Sequence, residues 1–181
     1  MKPIGEMSAG ELAAFIYSYL KAHGIDAVLS GGACVTIYSQ NQYFSPDLDF
    51  IESGGTSRRK LKNLLGKLGF FEERRYFRHP ETDFFLEFSA GPLAVGREPV
   101  KETVMRHFAT GVVKMISPTD CVKDRLAAYY HWGDRQSLEQ AIWVIRDNAV
   151  DLKEVERWSE AEGNLTQFQE IKARLAKNPL L

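Results

Sequence analysis

Leu12, Phe15, Ile16, Tyr19 and Leu20 recur at helical spacing behind Ser8, and Glu11 stands three residues after that serine. The pattern predicts a capped amphipathic helix over residues 9–22, closed by Gly24. Ile25 to Leu29 reads as a short buried strand, apolar from Ala27 to Leu29. Beyond Ser30-Gly31-Gly32, the residues Ala33, Val35, Thr36, Ile37 and Tyr38 predict a helix laid on a sheet. Ser39 to Pro46 is a polar loop, and Asp47 to Glu52 (DLDFIE) alternates like a strand with one buried face. Gly54-Gly55 turns the chain, and Thr56 or Ser57 caps a helix whose Leu61, Leu64, Leu65 and Leu68 face a core. The cations of that helix, Arg58, Arg59, Lys60, Lys62 and Lys67, read as a solvated face. Phe70–Phe77 and Thr82–Ser89 predict two strands joined by His79-Pro80-Glu81. Gly91 to Pro99 is a Gly/Pro-rich connection, and Thr103–Phe108 and Val112–Met115 predict two further strands around Thr110-Gly111.

The period changes at Ser117-Pro118-Thr119-Asp120, a helix-opening signal with proline in the first turn. Helices are predicted over 119–131, 134–147, 151–162 and 165–177, broken at Gly133, Asn148 and Gly163-Asn164. Tyr129, Tyr130, Trp132, Trp143 and Trp158 read as packing residues of these helices. The fold class expected is therefore α/β (α+β), a mixed sheet flanked by helices over residues 1–116, followed by a helical C-terminal portion over 117–181.

Composition narrows the function classes. The chain has 181 residues, 44% of them hydrophobic, which is enough to build a substantial core. A net charge of −1 argues against nucleic-acid binding by bulk charge and leaves room for a local basic patch. Cys34 and Cys121 lie far apart, with neither CxxC spacing nor nearby histidine ligands, as expected of buried, reduced cysteines in a cytoplasmic protein. The start, MKPIGEMSAG, lacks a signal-peptide core, and no apolar run approaches the ~18 residues of a membrane span, so no membrane partner is expected.

The candidate chemistry lies in three acids. Asp47 and Asp49, two residues apart in a strand, project from one face. Side by side they repel, and each raises the other's pKa unless a cation intervenes; an all-oxygen pair suits a hard one, Mg²⁺ or Mn²⁺. Glu87 sits in the middle of an apolar strand (FFLEFS), where a carboxylate is costly without a partner. If its strand lies beside that of the aspartates, all three acids share a cleft: two can bridge metal, and the third can take a proton from a hydroxyl. Gly31 and Gly32 offer backbone N–H groups at a helix start, where phosphate docks. The structural alternative makes Asp47 a strand-entry residue and Asp49 a salt-bridge partner for a helix, and pairs Glu87 with Arg75 or Arg78 across a hairpin.

Residues 29–50, LSGGACVTIYSQNQYFSPDLDF, resemble the signature of the polymerase-β-like nucleotidyltransferase superfamily: an apolar residue, Gly-Gly, a spacer, then acid-apolar-acid-apolar. Glu87 matches its third carboxylate. The resemblance implies Asp47, Asp49 and Glu87 as ligands of Mg²⁺ (or Mn²⁺), with Glu87 as general base, and Ser30, Gly31 and Gly32 against the phosphates of an NTP substrate. Asp120, Lys123, Arg125 and Asp134-Arg135 look like the region after the catalytic core in toxin-type and abortive-infection nucleotidyltransferases. By that likeness Lys123 neutralises the triphosphate, the acceptor is a hydroxyl of tRNA, protein or a small molecule, and a cognate antitoxin is a partner. On the residues alone, Lys123 is also suited to surface ion pairing and Asp134 to a helix N-cap; Arg125 lies on the opposite helix face from Lys123. The competing expectation is a catalytically inactive, nucleotide-sensing or partner-binding module of the same fold. A metal-dependent phosphoesterase is a remoter one, because no His or Cys cluster accompanies the acids.

Overall fold

A computed structural model describes residues 2–177; residues 178–181 of the predicted helical portion lie outside the described residues. Helix α1 (Ala9–Ala22) begins with the expected capping box, Ser8 and Glu11 each bonded to the other's backbone N–H. Its buried face, led by Leu12, Ile16 and Leu20, packs on the sheet. Strand β1 (Ala27–Ser30) runs without a loop into α2 (Gly31–Tyr38), so the two glycines are themselves the first residues of that helix. Strand β2 (Asp47–Glu52) returns antiparallel to β1. Helix α3 (Arg58–Gly66) is capped by Ser57, whose side chain accepts from the Lys60 N–H.

The segment Phe70–Phe77 is not the single strand its composition predicts. It is a hairpin, β3 (Phe71–Glu73) and β4 (Tyr76–His79), turned at Arg74 with φ 57°. The reason is parity. Phe70 and Phe77 are an odd number of residues apart, so one straight strand would point them to opposite faces. Folding at Arg74-Arg75 lets both be buried, at 4% and 0% exposure.

Strand β5 (Thr82–Ala90) lies between β4, to which it is antiparallel, and β2, to which it is parallel. The expected Gly/Pro-rich connection contains a short ribbon, β6 (Ala94–Val95) and β7 (Glu98–Pro99). Strands β8 (Thr103–Phe108) and β9 (Gly111–Ile116) complete the main sheet. Among the described residues this sheet has seven strands in the order β3-β4-β5-β2-β1-β9-β8.

Four helices follow: α4 (Pro118–Trp132), α5 (Arg135–Asp147), α6 (Leu152–Ala161) and α7 (Leu165–Lys177). Ser117 caps α4, and Gly133 ends it at φ 66°. Both α4 and α5 pack on α2, and the Tyr38 hydroxyl donates to the Ile116 carbonyl at 2.7 Å, tying α2 to the end of β9. Trp158 is fully buried, stacked on Tyr130. Trp132, expected to pack, is 84% exposed, because it closes α4 where the chain turns toward α5. No described helix is long and apolar enough to cross a membrane.

Candidate active site

Strand β2 alternates strictly. Leu48 and Phe50 point into the core at 0% exposure, while Asp47 and Asp49 take the other face, half-buried. The parallel register with β5 sets Asp49 beside Glu87 and Asp47 beside Phe85. Side chains paired in register on neighbouring strands share a face, so the three acids predicted from sequence stand together on one side of the sheet. Asp49 is the innermost. Burial, and then the charges of Asp47 and Glu87, push its pKa up to about 7, while the Arg125 guanidinium pulls it back.

The glycine turn is built against the same carboxylates. Ser30 lies opposite Asp49 in the β1–β2 register, and its hydroxyl donates to the Asp49 carbonyl at 3.4 Å. Gly31 is left-handed at φ 67°, and a Cβ there would collide with Asp49 Oδ2. A Cβ on Gly32 would lie 2.7 Å from Ser45 Oγ. The Ser45 hydroxyl donates in turn to Asp47, and the Ser45 N–H donates to Thr36 Oγ1 at 3.1 Å. Thr36 closes the circuit by donating to the Gly32 carbonyl at 3.3 Å. The loop before β2 is thereby held on the first turn of α2, which brings Ser30, Gly31 and Gly32 to the aspartates. Ser45 was not singled out from sequence; its only local signal is its place two residues before Asp47, and the Thr36 bond that seats it is a tertiary contact.

The remaining charged candidates separate. Arg75 Nε stands 3.5 Å from Glu87 Oε1 with its side chain 69% exposed, so the cross-hairpin pairing and the clustering of the acids coexist. Arg125 is largely buried, paired with Asp124 and donating to Gln140 Oε1 at 3.3 Å, and it bears electrostatically on Asp49. Lys123, two residues earlier, occupies the opposite side of α4. Its ammonium lies 2.8 Å from Glu154 and 3.3 Å from Asp120, beside a cavity of about 370 Å³ that Glu98 and Ser117 also line. Asp134 is the N-cap of α5, accepting from the Gln136 N–H. Lys123→Met removes the cation that Asp120 and Glu154 share. The expected result is a loss of about 3 kcal/mol in urea unfolding; an unchanged midpoint would mean that the pair does not hold α4 to α6.

The donor set bears on metal. Three carboxylates with no neutralising partner at Asp49 are the all-oxygen chemistry of Mg²⁺ or Mn²⁺, and a divalent cation would relieve the repulsion that raises the Asp49 pKa. In the side-chain arrangement seen, Asp47 accepts from Ser45 and Glu87 is paired with Arg75. Among the described residues no group of three His, Cys, Asp or Glu side chains converges closely enough to hold an ion. The residue types and their shared face fit the metal, and closing on it would require Asp47 and Glu87 to turn from these partners.

No protein-family model matches the chain, and no curated protein matches it. Among the solved structures it resembles are two whose likeness runs over nearly the whole chain. One is the crystal structure of an antigenic nucleotidyltransferase-like protein from Paracoccidioides brasiliensis, with 17% sequence identity and a TM-score of 0.68, over 97% of this chain and 94% of that one. The other is the solution structure of the antibiotic-resistance factor ANT(2'')-Ia, with 15% identity and a TM-score of 0.51, over 91% of this chain and 92% of that one. The seven-stranded mixed sheet with its flanking helices has the nucleotidyltransferase fold, as the sequence led one to expect.

Proposed function

We propose that the chain is a nucleotidyltransferase that moves a nucleoside monophosphate from an NTP to a hydroxyl acceptor. The observation that carries this reading is the set of Asp47, Asp49 and Glu87 on one face of β2 and β5, with Gly31 packed against the Asp49 carboxylate. Ser30, Gly31 and Gly32 receive the triphosphate, because the first N–H groups of α2 have no intrahelical acceptor and no side chain on either glycine covers them. Asp47, Asp49 and Glu87 would hold Mg²⁺ or Mn²⁺, which would supply neutralisation of the charge on the phosphates. A Glu87 carboxylate oxygen takes the proton of the acceptor hydroxyl. The acceptor oxygen bonds to the α-phosphorus as the bond from that phosphorus to the departing pyrophosphate breaks.

The acceptor belongs to one of three classes: tRNA, a protein side chain or a small molecule. The toxin-type form of this reading, with a cognate antitoxin, rests on the likeness of the residues around α4 and the start of α5. The test is incubation of the purified protein with labelled NTPs, Mg²⁺ and total cellular RNA or lysate. Label should pass to an acceptor, and Glu87→Gln should cut the rate by about a hundredfold or more while NTP still binds. Transfer that is absent, or equally strong in Glu87→Gln, would sink the proposal; Mg²⁺-dependent NTP binding without turnover would point to a nucleotide sensor instead.

A further inference from the structure

Residues 58–79 hold eight of the chain's 23 Lys and Arg but only two of its 24 Asp and Glu. Read along the sequence, the α3 cations are a solvated face. Folding gives them neighbours. Between α3 and the edge strand β3 lies a groove of about 530 Å³, lined by Lys62, Asn63, Lys67, Phe70 and Phe71 among others. Arg59, Asn63 and the C-cap Lys67 follow one another at four-residue steps, and Lys62 is three residues from Arg59, so all four lie along one side of α3. Phe71 is 51% exposed at the mouth of the groove.

The two acids of the stretch are already engaged: Glu72 with Arg58 and Lys62, Glu73 with Arg78. Among the described residues Arg59, Lys67 and Arg74 have no carboxylate partner, and all three are exposed. A second set of guanidinium groups lies across the β3 edge: α3 covers the sheet face of Glu72 and Phe77, and the register puts Phe71, Tyr76, Arg78 and Phe85 on the other face. Arg75 lies over the Tyr76 ring at 4.8 Å, Tyr76 packs edge-on against Phe85 at 4.7 Å, and Arg78 covers Phe85 at 4.8 Å. This row of rings and guanidinium planes ends beside the acids, because Arg75 is the residue 3.5 Å from Glu87.

Unpaired cations in a row would hold a phosphate backbone, and exposed rings would stack bases whose faces are free. Duplexes hide those faces, and an anionic membrane surface is the competitor that the vesicle arm of the test below distinguishes. We propose that the α3–β3–β4 edge binds single-stranded nucleic acid, with phosphates along Arg59, Lys67 and Arg74 and a base on Phe71. Binding is independent of the transfer chemistry; that the bound strand is also the acceptor rests on the reading of Asp47, Asp49 and Glu87 given above.

The test is fluorescence anisotropy of a labelled 20-nucleotide oligo(A) RNA against the full chain, repeated at 50 and 200 mM KCl. Binding should weaken with salt, by a slope of about −0.7 per phosphate neutralised. The triple variant Arg59→Glu, Lys67→Glu, Arg74→Glu should bind at least about tenfold more weakly. Phe71→Ala should cost about fivefold for the oligonucleotide and nothing for heparin. All four positions are exposed, and matched thermal melts check that the variants fold. No oligonucleotide binding at 50 mM KCl would overturn the proposal. So would an affinity for heparin or phosphatidylserine vesicles that matches oligo(A) while Phe71→Ala changes nothing, which would leave only a polyanion or membrane patch. Oligonucleotide binding by a wild-type chain that transfers no label would sink the transferase reading and leave this one standing; transfer to an acceptor without oligonucleotide binding would do the reverse.

Discussion

Asp49→Asn is expected to do two opposite things: reduce nucleotidyl transfer on the order of a thousandfold, and make the metal-free protein more stable at neutral and alkaline pH. Both follow from a carboxylate set between two others in a half-buried position. In the folded chain Asp49 titrates near 7, against about 4 when unfolded. The folded state therefore holds the proton more tightly. Below about pH 4 both states are protonated and there is no penalty; as pH rises from there through about 7 the penalty grows, and above 7 it stands in full. After allowance for partial exposure it is on the order of 2–4 kcal/mol. Asparagine has nearly the same shape and no charge. In EDTA at pH 8 the variant should melt roughly 5–10 °C above wild type, with the gap closing by about pH 4.5. Millimolar MgCl₂ should raise the wild-type melting temperature and leave the variant's nearly unchanged. A variant that transfers at the wild-type rate, or melts below wild type at pH 8, would show that Asp49 is not the strained centre of the site.

Gly31→Ala should cut transfer about a hundredfold for a modest loss of stability. Two costs arise at this residue. Its φ of 67° is a left-handed conformation that costs a residue with a Cβ ~1–2 kcal/mol. The added methyl also meets Asp49 Oδ2, so the carboxylate, the turn or both must move. Gly133→Ala separates these costs. Gly133 has nearly the same φ, 66°, and a Cβ there would meet nothing within 4 Å. Gly31→Ala should lose at least as much stability in urea melts as Gly133→Ala, which carries only the backbone cost, and only Gly31→Ala should lose transfer. Equal kinetic loss in the two, or none in Gly31→Ala, would break the link between the glycine turn and the carboxylate.

Lys123 and Arg125 show where a one-dimensional reading stops. Helical spacing separates their faces correctly, yet nothing in the local pattern says which face meets the acids. That depends on how α4 lies over α2 and against α6. The packing gives Lys123 to Asp120 and Glu154, and places Arg125 where its charge acts on Asp49. Similarly, the basic face of α3 is plain in the sequence. Its union with Phe71 and the Arg74-Arg75 turn depends on the β3–β4 hairpin, which the run FFEERRYF, without glycine or proline, does not announce.

What the sequence by itself determined is whatever depends on near neighbours. The capping box of α1, the alternation that puts Asp47 and Asp49 opposite Leu48 and Phe50, the glycines at the start of α2 and the change to helix at Ser117 all follow from side-chain spacing within a few residues. Only the tertiary structure decided that Asp49 lies beside Glu87, because that pairing requires β5 to dock parallel to β2 after the chain has crossed α3 and the β3–β4 hairpin. A shift of one residue in this register would turn Glu87 to the other face of the sheet. Burial of Leu86 and Phe77 on the core side holds it in place, and with it the meeting of the three carboxylates.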